Sequence, residues 1–293
     1  MKNLIRHVFF LTLTGVALSA CHTAQSAPPP KKVLFFSKSS GFEHDMIKQT
    51  NGQPSQAQVI LTELGAKNNI EFTFTKDGSV FTPGNIAKYD GFCFYTTGDL
   101  CEVGNDKNPP MTPEGKAAFL EAIRNGKGFV GIHSATDSFH TPPGGAVDPY
   151  IKMIGAEFIK HDRQQTAHQI VVDKRFPGMS AVPDKYVLFE EWYTMKNFSP
   201  DIHVLLAQDT ASMGRKGSYD RPNYPSTWAL KYGKGRSFYT SMGHRLDVWQ
   251  SPVFQSVLVG GFQWTLGEVD ADVTPNINTA TPGANTLQPG VQK

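Results

Sequence analysis

Residues 128–140 read GFVGIHSATDSFH. The first five form a short, unbroken apolar run, the pattern of a strand buried on both faces of a parallel sheet. The run stops at His133. Small polar residues follow, then Asp137, an aromatic and a second histidine. Val33–Phe36 (VLFF) and the run from Tyr89 to Tyr95 repeat the apolar pattern, and Ile70–Thr75 alternates as a strand does. Between these runs the period changes. Ser55–Ala66 carries Val59, Ile60 and Leu64 at helical spacing, with Gly65 as the stop. Thr112–Asn125 places Thr112 as N-cap, Pro113 at the first helical position and Phe119, Leu120 and Ile123 on one face.

Strand, helix and strand in alternation predict an α/β domain, a parallel sheet covered by helices. In such sheets ligands bind beyond the carboxyl ends of the strands, and His133 stands at that edge. Further on, Pro149–Gly155 reads as a helix. Ala167–Val172, Tyr186–Tyr193 and His203–Ala207 read as strands. Ser226–Tyr232 and Arg236–Ser241 are joined by Gly233-Lys234-Gly235, a hairpin signal. Pro252–Leu266 forms an amphipathic closing helix.

The ends are of different character. Residues 1–20 combine a positive start (Lys2, Arg6) with an apolar run from Val8 to Ala17, too short for a comfortable membrane span. Leu18-Ser19-Ala20-Cys21 resembles a bacterial lipobox, which implies lipidation at Cys21 and an anchor in the cell envelope. His22 follows where Asp would signal inner-membrane retention, so the expected place is the outer membrane, facing the periplasm. The alternative is a secretory signal with a chance cysteine. Residues 21–31 read as a tether, 32–268 as the domain, and 269–293, rich in Thr, Pro, Asn and Gly, as a disordered tail. Cys93 and Cys101 could pair in an oxidising compartment. The net charge of +2 argues against nucleic acid as a partner.

Four chain segments deliver titratable groups to the predicted functional edge: His44, His133, Glu191 and His244. Each has a bland reading as a structural or surface residue, and the convergence is what favours chemistry. His133 and His44 suit acid–base work, Glu191 would orient one of them, and His244 would bind substrate. Asp137, Tyr193 and Ser134 are further candidates for substrate contact. The same four residues form a divalent-metal set, although no H-E-x-x-H spacing is present. His161 and His168 fit solvent-exposed positions. Phe42, Phe139, Trp192, Tyr193 and Trp249 lie near these polar groups, and flat aromatic faces suit sugar rings. No G-x-G-x-x-G follows a strand, so no nicotinamide cofactor is expected.

Taken in order, several stretches resemble the trehalose-utilisation (ThuA-like) family. They are Val33–Phe36 with Gly41-Phe42-Glu43-His44; Gly128–Asp137; Ile154–Phe158 with His161; Glu190–Tyr193; Tyr232–Thr240 through Gly243-His244; and Gly260–Trp264. The resemblance implies a flavodoxin-like sheet related to class I glutamine amidotransferases. It further implies carbohydrate metabolism, in particular of disaccharides oxidised at a ring carbon (3-keto sugars). The amidotransferase nucleophile is absent: the comparable strand ends in Ile132-His133-Ser134, and G-x-S-x-G is missing. The sequence departs from the family pattern in a Pro/Gly-rich insert over Phe139–Asp148, in His161-Asp162 for His-Pro, and in Glu190-Glu191 for Asp-Glu. The leading expectation is an envelope enzyme doing lyase, hydrolase or isomerase chemistry on a sugar, with or without a metal. The alternatives are a carbohydrate-binding lipoprotein without catalysis and an amidotransferase-like scaffold.

Overall fold

β1 (Lys31–Phe36) lies inside the parallel half of a nine-stranded sheet, second from its edge, and its four buried apolar residues serve both faces. Val33 and Phe35 enter one core with α1 (Gln56–Lys67), whereas Leu34 and Phe36 enter the other. The α1 helix begins at a capping box between Ser55 and Gln58. The chain continues through β2 (Ile70–Thr75), the short α2 (Pro83–Ile86), β3 (Gly91–Phe94), α3 (Pro113–Arg124) and β4 (Gly128–Ile132). Next come α4 (Pro149–Ile154), β5 (Glu157–Lys160), β6 (Gln165–Val171), β7 (Tyr186–Glu190), β8 (Thr194–Lys196) and β9 (His203–Gln208). The hairpin of β10 (Tyr224–Tyr232) and β11 (Gly235–Thr240) precedes α5 (Leu246–Trp249), α6 (Pro252–Thr265) and α7 (Ile277–Ala280). This computed structural model describes residues 28–105, 107–214, 217–287 and 289. The signal-like segment and Cys21 lie outside the described residues.

The strand order is β2-β1-β3-β4-β11-β10-β9-β6-β7. The first five strands are mutually parallel, in the 2-1-3-4-5 order of flavodoxin-like folds with β11 as the fifth. The remaining four extend the sheet antiparallel. The two-residue turn between β10 and β11 needs left-handed backbone at Gly233 (φ +63°), which glycine supplies without strain. The apolar sides of α1 and α6 cover one face of the parallel half, and α3 and α4 cover the other. Among the described residues no helix is long and apolar enough to cross a membrane.

Two expectations are corrected, and the cysteine question left open by the sequence is answered. The stretch Tyr186–Tyr193 is a strand only to Glu190, and the chain then leaves the sheet. The supposed tail is seated on the domain through residue 287. Val273, Ile277 and Ala284 are buried, Asn276 bonds both backbone groups of Val204, and Arg221 donates to the Ala284 carbonyl. Its composition is poor in apolar residues, but polar contacts to neighbouring backbone replace them. Cys93 and Cys101 are both free thiols, Cys93 buried within β3.

Candidate functional site

His133 ends β4 at a sharp corner. Its φ is +47°, a left-handed conformation uncommon for a non-glycine residue, and a tight turn over 133–137 follows. The imidazole is fully buried. Nδ1 lies 2.8 Å from the Ser241 carbonyl, which can only accept, so Nδ1 carries the proton and donates. A neutral His133 therefore turns the lone pair of Nε2 inward.

That lone pair meets other donors of electrons. Nε2 is 3.4 Å from Glu191 Oε2 and 3.3 Å from His244 Nδ1, and these two are 3.1 Å apart. Glu191 stands just past β7, and His244 in the loop between β11 and α5. His44 joins from the loop after β1, with its ring centroid 4.9 Å from that of His133. One donor atom from each of the four residues lies within 4.8 Å of all the others. His44 Nε2 contacts the Tyr193 hydroxyl at 3.3 Å, and its Nδ1 is buried with no hydrogen-bond partner among the described residues.

The electrostatics follow from this crowding. Burial, with His133 and His244 nearby, lowers His44 to about 2 and keeps it neutral. Burial alone would raise Glu191, but its contacts with His133 and His244 outweigh that and hold it well below the usual carboxylate range. Burial likewise opposes charge on His244, and Glu191 reverses the sign, so His244 is raised. The Glu191 carboxylate and ring nitrogens of three histidines thus converge on one point. Such a point calls for a cation.

The cluster fits a divalent metal. Tetrahedral ligands about 2.0–2.1 Å from zinc stand roughly 3.3 Å from one another. The His133, His244 and Glu191 atoms make a triangle with sides of 3.3, 3.4 and 3.1 Å. The orphaned His44 nitrogen is a fourth donor. Three imidazoles and a carboxylate suit zinc and its first-row neighbours. The Ser241 carbonyl fixes the His133 tautomer as outer partners of metal-bound histidines do.

The cluster opens outward at half-buried His244 and exposed His161. His161 Nδ1 reaches Glu191 Oε1 at 3.3 Å, and its ring stacks on Tyr193. Phe42 packs edge-on against His44 and is 67% exposed. The other candidates separate. Tyr193 lies against His133, with ring centroids 4.3 Å apart. Asp137 is bound to His140 at 2.7 Å, and His140 also contacts Glu157. Ser134 is fully buried, and its hydroxyl has no hydrogen-bond partner among the described residues, so no Ser–His pair is formed. His168 pairs with Asp209, outside the cluster. His161 is exposed as expected, but its link to the cluster has no signal in the sequence, because it depends on Glu191 and Tyr193 standing beside it.

The ThuA family, described as trehalose utilisation, matches residues 32–265. The chain belongs to the ThuA family. A ThuA-like protein from Bacteroides uniformis is 19% identical, with 83% of this chain and 95% of that one covered, at a TM-score of 0.62. Another, from Parabacteroides merdae, is 20% identical over 83% and 92% of the two chains, at 0.59. A cytoplasmic protein of Salmonella typhimurium is 13% identical over 80% and 98%, at 0.53. At these identities the likeness concerns the fold. No curated protein matches the chain. In this ThuA family member a histidine with left-handed backbone stands at the corner that ends β4.

Proposed function

We propose that this ThuA family member is a sugar-active enzyme of the cell envelope. It uses a divalent metal held by His133, His244, Glu191 and His44. The family description supports a sugar-related role. The observation that carries the catalytic reading is the triangle of His133, His244 and Glu191 donor atoms, 3.1–3.4 Å on a side, with the His133 proton turned away from it.

A metal here supplies Lewis acidity to a sugar carbonyl or hydroxyl. The chain's own groups do the rest. Glu191 binds His133 and His244 through one oxygen and His161 through the other, so it joins the centre to solvent. His161, at the mouth, is placed to pass a proton between the site and bulk water. Tyr193 holds His44 by its hydroxyl and walls the cluster from below. The exposed face of Phe42 offers a platform for the apolar face of a sugar ring. A 3-keto sugar fits this machinery, because a carbonyl acidifies the neighbouring C–H and the reaction then needs a base and an acid.

The test is direct. Metal content is measured on the purified protein, on His133→Ala and on Glu191→Gln, and turnover is followed on 3-keto disaccharides. Metal near one equivalent, lost in both variants together with turnover, is expected. A metal-free protein that turns over nothing and keeps its melting profile in both variants would reduce the cluster to a structural one.

A further inference from the structure

His244 belongs to two features at once. Its Nδ1 faces the cluster, and the residue also lines an open groove of about 550 Å³. That volume falls within the ~300–1,000 Å³ span of small-molecule sites. His44 and His133 are buried, so a ligand that reaches the cluster past His244 occupies this groove. Three glutamines from three distant segments line it: Gln56 at the first turn of α1, Gln164 before β6 and Gln250 after α5. A carboxamide is uncharged and both donates and accepts, which matches the double character of a hydroxyl group.

The charges of the groove point the same way. Arg245 is its lining base, and it is already engaged. Nε and Nη2 donate to the two Asp247 carboxylate oxygens at 2.9 and 3.1 Å, and Nη1 donates to Gln164 Oε1 at 2.9 Å. Its guanidinium also lies over the Phe189 ring. Asp45 adds a second acid to the lining. With Arg245 paired and Asp45 and Asp247 beside it, the outer part of the groove, away from His244 and the cluster, offers a carboxylate or phosphate no unpaired base among its lining residues.

We infer that this groove is a subsite for the uncharged, hydroxyl-rich part of the ligand. By the same chemistry it selects neutral saccharides over uronates and sugar phosphates. The inference rests on the sugar reading above and adds a location and a charge preference to it. Gln56 and Gln250 hold hydroxyls, Gln164 is oriented by Arg245, and Asp45 repels anions.

Calorimetric titration of the protein with maltose, cellobiose and lactose, beside glucuronate and glucose 6-phosphate, tests it. The same series is run on Gln56→Ala/Gln250→Ala, Asp45→Asn and His133→Ala. Both groove variants alter exposed side chains, and matching circular dichroism spectra check the fold. The expected result is binding of at least one neutral disaccharide, tenfold or more tighter than either anion. The double glutamine variant should weaken it about tenfold, and Asp45→Asn should narrow the discrimination. Sugar binding that ignores the groove variants but is lost in His133→Ala overturns the groove and leaves the sugar reading standing. Anions that bind as well as neutral sugars also overturn it. Absence of binding by all five probes overturns both.

Discussion

Glu190 ties the two outer segments of the site together. Its Oε2 accepts the Gly243 backbone N–H at 3.0 Å, and its Oε1 accepts the Glu191 N–H at 2.9 Å. One buried carboxylate thereby sets the spacing between Glu191 and His244. Burial pushes the Glu190 carboxyl up, while these two N–H groups favour its ionised form. In Glu190→Gln one acceptor oxygen becomes an NH2 that faces a backbone N–H. The expected cost is about 1–3 kcal/mol of stability. Metal affinity should fall roughly 10–100-fold, the range seen for outer-sphere changes. Competition with a chromophoric chelator at 25 °C reads the affinity. A lower Tm with unchanged affinity would make Glu190 a residue of the fold alone.

Gly243 is the other half of this tie. Its carbonyl accepts from the Tyr95 hydroxyl at 3.0 Å and from Trp249 Nε1 at 2.7 Å, so the peptide is held on both sides. Its φ is +119°, and a Cβ there would stand 2.9 Å from Ile132 Cγ2. Gly243→Ala should destabilise the protein by about 1–3 kcal/mol and displace His244. Thermal melting with and without added zinc checks this. The zinc-induced rise in Tm should shrink in the variant.

Metal removal should be visible as lost stability even without a substrate. Ligand at a hundred times its Kd stabilises the native state by about 2.7 kcal/mol. Dialysis against a chelator is expected to lower Tm, and one equivalent of zinc or cobalt to restore it. Identical melts in all three states would contradict the metal centre.

His140 gives a pH signature separate from the cluster. Hydrogen bonds to Asp137 and Glu157 outweigh burial and raise it to about 9. Its folded value lies above the ordinary histidine value near 6.5. The stabilisation is therefore complete below about pH 6.5 and is lost as pH rises through about 9. Glu157 behaves in the opposite sense. Burial opposes its charge, but contacts with His140, Thr141, Asn197 and Lys196 win and lower it to about 2. Its contribution is present above the ordinary glutamate value and fades as pH falls toward about 2. The Tm difference between wild type and His140→Ala should be largest near pH 6 and close at pH 9.5. A pH-independent difference would show that His140 acts by packing.

Chain removed after Gly267 should not be neutral. Val273 and Ile277 are buried, and burial of each is worth about 1.5–3 kcal/mol. His203 would lose its 2.7 Å contact with the Thr274 carbonyl, and Arg221 its contact with that of Ala284. Calorimetry of the shortened chain should show a clearly lower Tm. An unchanged melt would return residues 269–287 to the status of an appendage.

Much of this architecture is legible in local chemistry. Thr112 and Pro113 mark the start of α3, Gly233 marks the hairpin, and the apolar runs mark β1, β3 and β4, because each signal is complete within a few residues. Four titratable residues at strand ends were enough to bring together His44, His133, Glu191 and His244. What escaped depends on distant partners. Glu191 leaves the sheet because Trp192 donates to the Gln165 carbonyl and Glu190 binds Gly243. His161 matters only because Glu191 and Tyr193 are beside it. The stretch after Val269 looks disordered by composition, and it is ordered by the backbone of β9 and by Arg221.

The positions of the four donors, 44, 133, 191 and 244, have a consequence for how the molecule matures. They are spread over two hundred residues, and the last of them follows β11, the strand shared by the parallel and antiparallel halves. No partial chain can assemble the cluster during synthesis. Loop closures over such separations come late and slowly, so the proposed ion capture would be an event of the finished fold, not a nucleus for it. On the proposed metal reading, a bound ion would mark a chain that has completed its folding.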